Sequence, residues 1–234
     1  EAVGDSVAGA SLKAAVLGSR GAGQILAPEV DRIRTLLEGE LSRSVAQTLR
    51  DDIAATADSW LRTDLPDEVP TPWDRLCLHW PLVFPEVFLR PGGGRFDSVV
   101  GNPPFMGGSG ISTAFGSGYR EHLMRTTANG MRGNADLVVY FFLRVTELCD
   151  GFGLIATNSV SEGDNREVGL DRFGELGWVV HRADRSVPWP NEANLEVAKV
   201  WSSRGQWSGE FVLDGRPAEV IRPDLRPVRR VIGQ

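Results

Sequence analysis

Phe96-Asp-Ser-Val-Val-Gly-Asn-Pro-Pro-Phe105 is the stretch on which the fold turns. Its first half, Phe96 to Val100, is a short apolar run closed by Gly101, the form of a buried strand in a parallel sheet. Its second half cannot continue that strand. Pro103 and Pro104 fix their own φ angles and carry no N–H to donate to a neighbour. Pro103 also pushes Asn102 toward an extended conformation. The strand therefore empties into a rigid loop that presents an amide, a row of backbone carbonyls and the ring of Phe105.

Outward from this point the chain alternates. After the loop, residues 107–118 are rich in Gly and Ser and are expected to be mobile. Residues 134–149 predict a helix with Leu137, Val138, Phe141, Phe142, Val145 and Leu148 on one side and Asn134 as its N-cap. Gly153 to Thr157 predicts the next buried strand, and 164–173 a short helix. Gly177 to Arg182, Leu195 to Trp201 and Gln206 to Leu213 predict further strands. Before the loop, Leu76 to Phe88 is aromatic and interrupted by Pro81 and Pro85, which excludes a regular helix or central strand. Residues 63–74, with three prolines and four acids, form a linker. From Pro28 to about Leu61 the spacing of Val30, Ile33, Leu36, Leu37 and Leu41 is helical, with Pro28 in the first turn and a break at Gly39. The order strand, loop, helix, strand implies an α/β fold with an open, mostly parallel sheet. In such sheets the active site lies at the carboxyl ends of strands, which is where Asn102 falls.

Composition narrows the function. The chain has 234 residues, 41% hydrophobic and 24% charged, with a net charge of −6. An acidic balance argues against a self-sufficient duplex binder, because grip on DNA needs Lys and Arg on phosphates. No run of about 18 apolar residues exists to span a membrane, and no signal peptide is visible. Cys77 and Cys149 lack metal-ligand spacing and read as free thiols of a cytoplasmic protein, with no metal expected. The chain starts at Glu1 without Met and ends at Gln234 after Arg226, Arg229 and Arg230, so both ends are expected to be cuts through a longer polypeptide.

The loop's chemistry follows from its atoms. An exocyclic amino group donates two protons and needs acceptors, which the Asn102 side-chain oxygen and the Pro103 carbonyl can supply. The Phe105 ring offers a stacking face worth about 1–3 kcal/mol to a planar base. A base held in a duplex must first be flipped out to reach it.

A strand followed by Asn-Pro-Pro-Phe resembles the signature of the N6-adenine-specific DNA methyltransferases, Asn-Pro-Pro-Phe or Asn-Pro-Pro-Tyr. The text Leu78-His-Trp-Pro-Leu-Val-Phe-Pro-Glu-Val-Phe88 resembles the large type IIG restriction–modification and phage-defence members. The resemblance implies a partial Rossmann-like class I S-adenosylmethionine-dependent fold, a mostly parallel sheet with antiparallel C-terminal strands and an inserted helical segment. It implies that Asn102, Pro103, Pro104 and Phe105 are catalytic, with Asn102 accepting from the target amino group. Trp189, in Val187-Pro-Trp-Pro190, matches an aromatic that stacks on the other face of the base. Asp5, in Val3-Gly-Asp-Ser-Val-Ala-Gly9, matches a strand-end acid that binds the adenine of S-adenosylmethionine. Asn158 and Ser159 fall at a strand end, either near the pocket or capping the next helix. Double-stranded DNA is the implied partner.

The match is incomplete. The family's first cofactor motif, a strand and Gly-rich turn ahead of Asp5, is missing, and Leu17-Gly-Ser-Arg-Gly-Ala-Gly23 lies in the wrong place for it. No nuclease set and no target-recognition domain is present. The implied layout is 1–23 as the end of the cofactor half, 24–75 as helical insertion and linker, 76–205 as the catalytic half, and 206–234 as the start of a region leading to the missing recognition domain. The isolated chain is expected to be inactive. Cytosine-N4 or protein-glutamine methylation, and a non-catalytic DNA-binding remnant, stay open as alternatives.

Overall fold

A computed structural model describes residues 1–65, 77–189 and 195–227, without the side chains of 19 and 20. Most of the linker 63–74, and Pro190 of the Trp189 segment, lie outside the described residues. The chain divides into two compact units, Glu1–Glu86 with Ser109–Thr126, and Val87–Gly108 with Thr127–Gln234.

The first unit is helical. Helix α1 (Ala2–Glu38) is kinked at Gly18, whose φ of 69° and ψ of −174° suit a residue without Cβ. The kink brings the two halves of α1 together. Buried Ser6 donates to the carboxylate of buried Glu29, and Arg32 Nη1 donates to Glu29 from 2.9 Å. Helix α2 (Arg43–Leu61) starts at Ser42, whose hydroxyl accepts from Val45 N, and it buries Ile53 and Ala57. The break expected at Gly39 is present, but Pro28 lies inside α1 rather than at a helix start. The short helices α3 (Trp80–Val83) and α4 (Pro85–Phe88) fill the aromatic segment, each a single turn beside its proline. Residues 107–118, expected to be mobile, are largely helical. They form helices α5 (Gly108–Phe115) and α6 (Ser117–His122), continued by a wider turn over Leu123–Thr127. Full burial of Ile111 outweighs the poor helix propensity of the glycines.

The second unit is a six-stranded sheet with helix α7 (Leu137–Leu148) against it. The strands are β1 (Val99–Gly101), β2 (Gly151–Thr157), β3 (Trp178–Pro188), β4 (Glu196–Arg204), β5 (Phe211–Leu213) and β6 (Arg216–Ala218), in the order β1-β2-β4-β3-β5-β6. A short helix α8 (Gly163–Val168) lies between β2 and β3. Val138, Val139, Phe142 and Leu143 of α7 are buried, and Phe142, Phe152, Phe173 and Trp178 form one aromatic core. Buried Cys149 closes α7; burial pushes its thiol up to about 11, which keeps it protonated and unreactive at neutral pH.

The sheet is α/β in class but not mostly parallel. Among the strands of the described residues β1–β2 and β3–β5 pair parallel, whereas β2–β4, β3–β4 and β5–β6 are antiparallel, so the expected antiparallel C-terminal strands are present. The reason is loop length. β3 and β4 are separated by too few residues for a crossover helix, which takes a dozen or more. β5 and β6 are joined by Asp214-Gly215, both at positive φ, the two-residue turn that suits a hairpin.

Candidate functional site

The sheet register brings three chain segments to one end. β1 runs parallel to β2 with Gly101 opposite Leu154, so Asn102 leaves the sheet beside the last residues of β2. β2 continues to Thr157, opposite Val197 of β4, and then releases Asn158. Val197 and Glu196 also face Val187 and Pro188, so Trp189 follows β3 at this same end. Asn102, Asn158 and Trp189 thus leave one edge of the unit, at the carboxyl ends of β1, β2 and β3. The ends of β1 and β3 are three strand spacings apart, about 14 Å. A single base is flanked by Phe105 and Trp189 only if both loops lean inward.

The loop itself is held at its base and open at its tip. Pro103 is buried, Asn102 is exposed and Phe105 is half-buried. Beyond the ring the backbone is clamped twice. Met106 N donates to Asp136 Oδ1 at 2.9 Å, and Leu137 N donates to Met106 O at 2.8 Å. Gly108 then passes directly over the chain leading into α7. A Cβ at Gly108 would lie 2.9 Å from Ala135 O and 2.5 Å from Asn134 Oδ1. The amide could swing aside but the backbone carbonyl could not. Gly108→Ala is therefore expected to cost about 1–3 kcal/mol, measured as a lower midpoint in urea without a change in slope.

Asp136, not Asn134, is the N-cap of α7: its Oδ1 accepts from Val138 N at 3.0 Å. Asn134 instead donates its backbone N–H to Asp164 Oδ2 at 2.5 Å. Asp136 N donates to Asn165 Oδ1 at 2.6 Å, and Asn165 Nδ2 donates to Ser159 Oγ at 3.0 Å. Ser159 Oγ is 2.8 Å from Thr157 Oγ1. The Asn158 side chain ties strand ends together, with Nδ2 donating to Ser186 Oγ (3.0 Å) and Glu196 Oε2 (3.1 Å). Neither residue caps α8, whose N-cap is Glu162. Sequence reasoning passed over Asp136 and Asn165. Asp136 carried a signal, an acid directly before an apolar helical run; Asn165 carried none.

Trp189 is half-buried, and its backbone N–H donates to Leu195 O at 2.8 Å, closing the β3–β4 connection. Asp5 is in the helical unit, and the expected strand before it is absent. It sits in the first turn of α1, within 2.8 Å of His79 Nε2. The Ala-rich run that follows it is a good helix former, which explains the difference. A cleft of ≈ 490 Å³ opens beside Asn158, lined by Glu162, Arg166, Arg185, Ser186 and Asp214 among others, and it does not include Asn102 or Phe105. Among the described residues no group of His, Cys, Asp and Glu could hold a metal ion, and no helix is long and apolar enough to cross a membrane.

Comparison with known proteins defines the class, that of the restriction-modification methylases. Within it, the model of the Eco57I restriction-modification methylase family matches residues 55–175, just over half of the chain, and the chain belongs to that family. Among solved structures it is similar to the type IIL restriction-modification enzyme MmeI in complex with DNA, at 20% identity and a TM-score of 0.49. That match covers 80% of this chain and 27% of the other, so the chain spans about a quarter of that enzyme's length. No curated protein matches.

Proposed function

We propose that this chain supplies the target-base side of an amino-methylating DNA methyltransferase, acting on adenine N6 within a restriction–modification or phage-defence system. The observation that carries the reading is the exposed Asn102 at the carboxyl end of β1, on a loop whose far side is clamped to the start of α7. In this reading a base flipped from duplex DNA lies against Phe105, with Trp189 on its second face. The Asn102 side-chain oxygen and the Pro103 carbonyl accept from its amino group. Accepting hydrogen bonds from both protons raises the electron density on the amino nitrogen, whose lone pair lies out of the base plane. Once that nitrogen is alkylated its surplus proton is acidic and would pass through the same acceptors to water. No strong general base is needed.

S-adenosylmethionine is the proposed source of the methyl group. Asp5 is its one proposed contact, through the carboxylate oxygen that does not face His79. The described residues offer no strand and Gly-rich turn to cradle the rest: the glycines of 18–23 lie within α1. The main cofactor site and the DNA-reading surface are proposed to lie in other parts of the same polypeptide, on a partial Rossmann-like sheet that β1 and β2 would extend.

The test is product analysis. The full-length protein is incubated with plasmid DNA and labelled S-adenosylmethionine, and the digested nucleosides are separated. Label in N6-methyladenine is expected. Label in N4-methylcytosine would move the target to cytosine, and no label in the nucleosides would sink the DNA-adenine reading.

A further inference from the structure

Three observations place Asp136 at a junction. The residue is 8% exposed, one of the few buried polar residues among those described in the unit. One carboxylate oxygen accepts two backbone N–H groups from different segments, Met106 on the Asn102 loop and Val138 in the first turn of α7. Its own N–H is taken by Asn165, which passes the chain of hydrogen bonds to Ser159 and the end of β2. A helix N-cap requires only the bond to Val138. The bonds to Met106 and Asn165 are additional to capping, and both lead to loops at the same end of the sheet.

We infer that Asp136 is a positioning residue: it sets the Asn102–Phe105 loop against the rigid start of α7, and Asn165 locks that junction to the loop after β2. The inference rests on the proposed role of Asn102. Proline stiffens the loop internally, but stiffness alone does not fix its direction relative to the sheet. Met106 is the first residue after Phe105 with a backbone donor aimed at another element, and the acceptor it finds is Asp136. Fixing it there determines where both Asn102 and Phe105 point. An error of about 1 Å in such an alignment is enough to cost on the order of 10²-fold in rate.

Capping and positioning separate in two substitutions. Asp136→Ser keeps a good N-cap, but its hydroxyl is too short to span both Val138 N and Met106 N. Asp136→Asn keeps an oxygen able to accept both. In the full-length protein, with plasmid DNA and S-adenosylmethionine, Asp136→Ser is expected to lower kcat by on the order of 10²-fold. KM for DNA and the melting temperature should stay close to wild type. Asp136→Asn is expected to restore kcat. Asn165→Ala, which leaves Asp136 and the loop residues intact, is expected to lower kcat by a smaller factor and serves as the deciding variant if Asp136→Ser does not fold. Wild-type kcat in Asp136→Ser or in Asn165→Ala overturns the inference. So does an Asp136→Asn variant as impaired as Asp136→Ser, because then geometry of acceptance is not the cause. Asn102→Ala run in parallel separates the two levels. If it retains full activity, the base-pocket reading has failed; if it is inactive while Asp136→Ser is not, only the positioning role has.

Discussion

Asn102→Ala in the full-length protein is expected to lower kcat for methyl transfer by on the order of 10²- to 10³-fold, the loss typical for removing one preorganised hydrogen-bonding group from a reaction centre. Asn102 is exposed, so its removal leaves no buried partner unsatisfied and no cavity behind. Its backbone is already constrained by Pro103, so the loop keeps its course. The variant should therefore fold and melt like wild type, and KM for DNA should change little, because the grip on DNA is proposed to lie elsewhere. Single-turnover methylation at saturating DNA isolates the chemical step. A rate within a few-fold of wild type would remove Asn102 from the reaction. Asn102→Asp is a sharper probe. It keeps an acceptor at the same place but adds a charge facing the base, so it should recover part of the rate at most.

Much of this site was legible because proline acts locally. Two prolines after an apolar run end a strand whatever the rest of the chain does, so the strand end and the loop were readable. The strand itself is Val99–Gly101 rather than Phe96–Val100, and as an edge strand it is not the buried one expected, with Val100 84% exposed. Helix α7 was legible for a similar reason, since its apolar spacing is long and regular. Its start was misjudged by two positions, Asn134 for Asp136, the usual uncertainty of helix ends, and Phe141, placed on the apolar side, is exposed. What depends on distant partners was not legible. All the strands but β6 were located, and the antiparallel C-terminal strands were expected from the resemblance, but the apolar pattern itself carried no directions, since an antiparallel β3–β4 pair and a parallel one share it. Connection length held that information. So did Asp214-Gly215, the strongest short-range hairpin signal in this region, which places β6 directly after β5. The strand expected before Asp5 is a helix instead because the Ala-rich run around it outweighs the short motif. Asn165 lay beyond reach: its importance comes from touching Asp136 and Ser159, and nothing in a six-residue helix announces that.

Phe142→Ala is expected to have the largest effect on stability. Phe142 is 1% exposed at the centre of α7. Its ring meets Phe152 of β2 edge-on at 5.5 Å and Phe173 in a stack at 6.4 Å. Phe152 in turn contacts Trp178 at the start of β3. Removing the ring takes away a side chain that joins α7 both to the sheet and to the segment leading into β3. The expected cost is about 3–5 kcal/mol, transfer and cavity terms together. The midpoint of thermal unfolding should fall by roughly 10 °C or more. Amide exchange locates the loss: protection should drop in β2, β4 and α7, whereas α1 and α2, which pack in the other unit around Ile53 and Ala57, should keep theirs. Equal loss in both units would mean that they unfold as one. The same substitution bears on the site, because Asp136 caps the helix that Phe142 pins. If α7 loosens, the Met106 clamp loosens with it, so methyl transfer should decline at temperatures well below the unfolding midpoint. A variant that melts early yet keeps wild-type kcat up to its midpoint would show that α7 does not hold the loop.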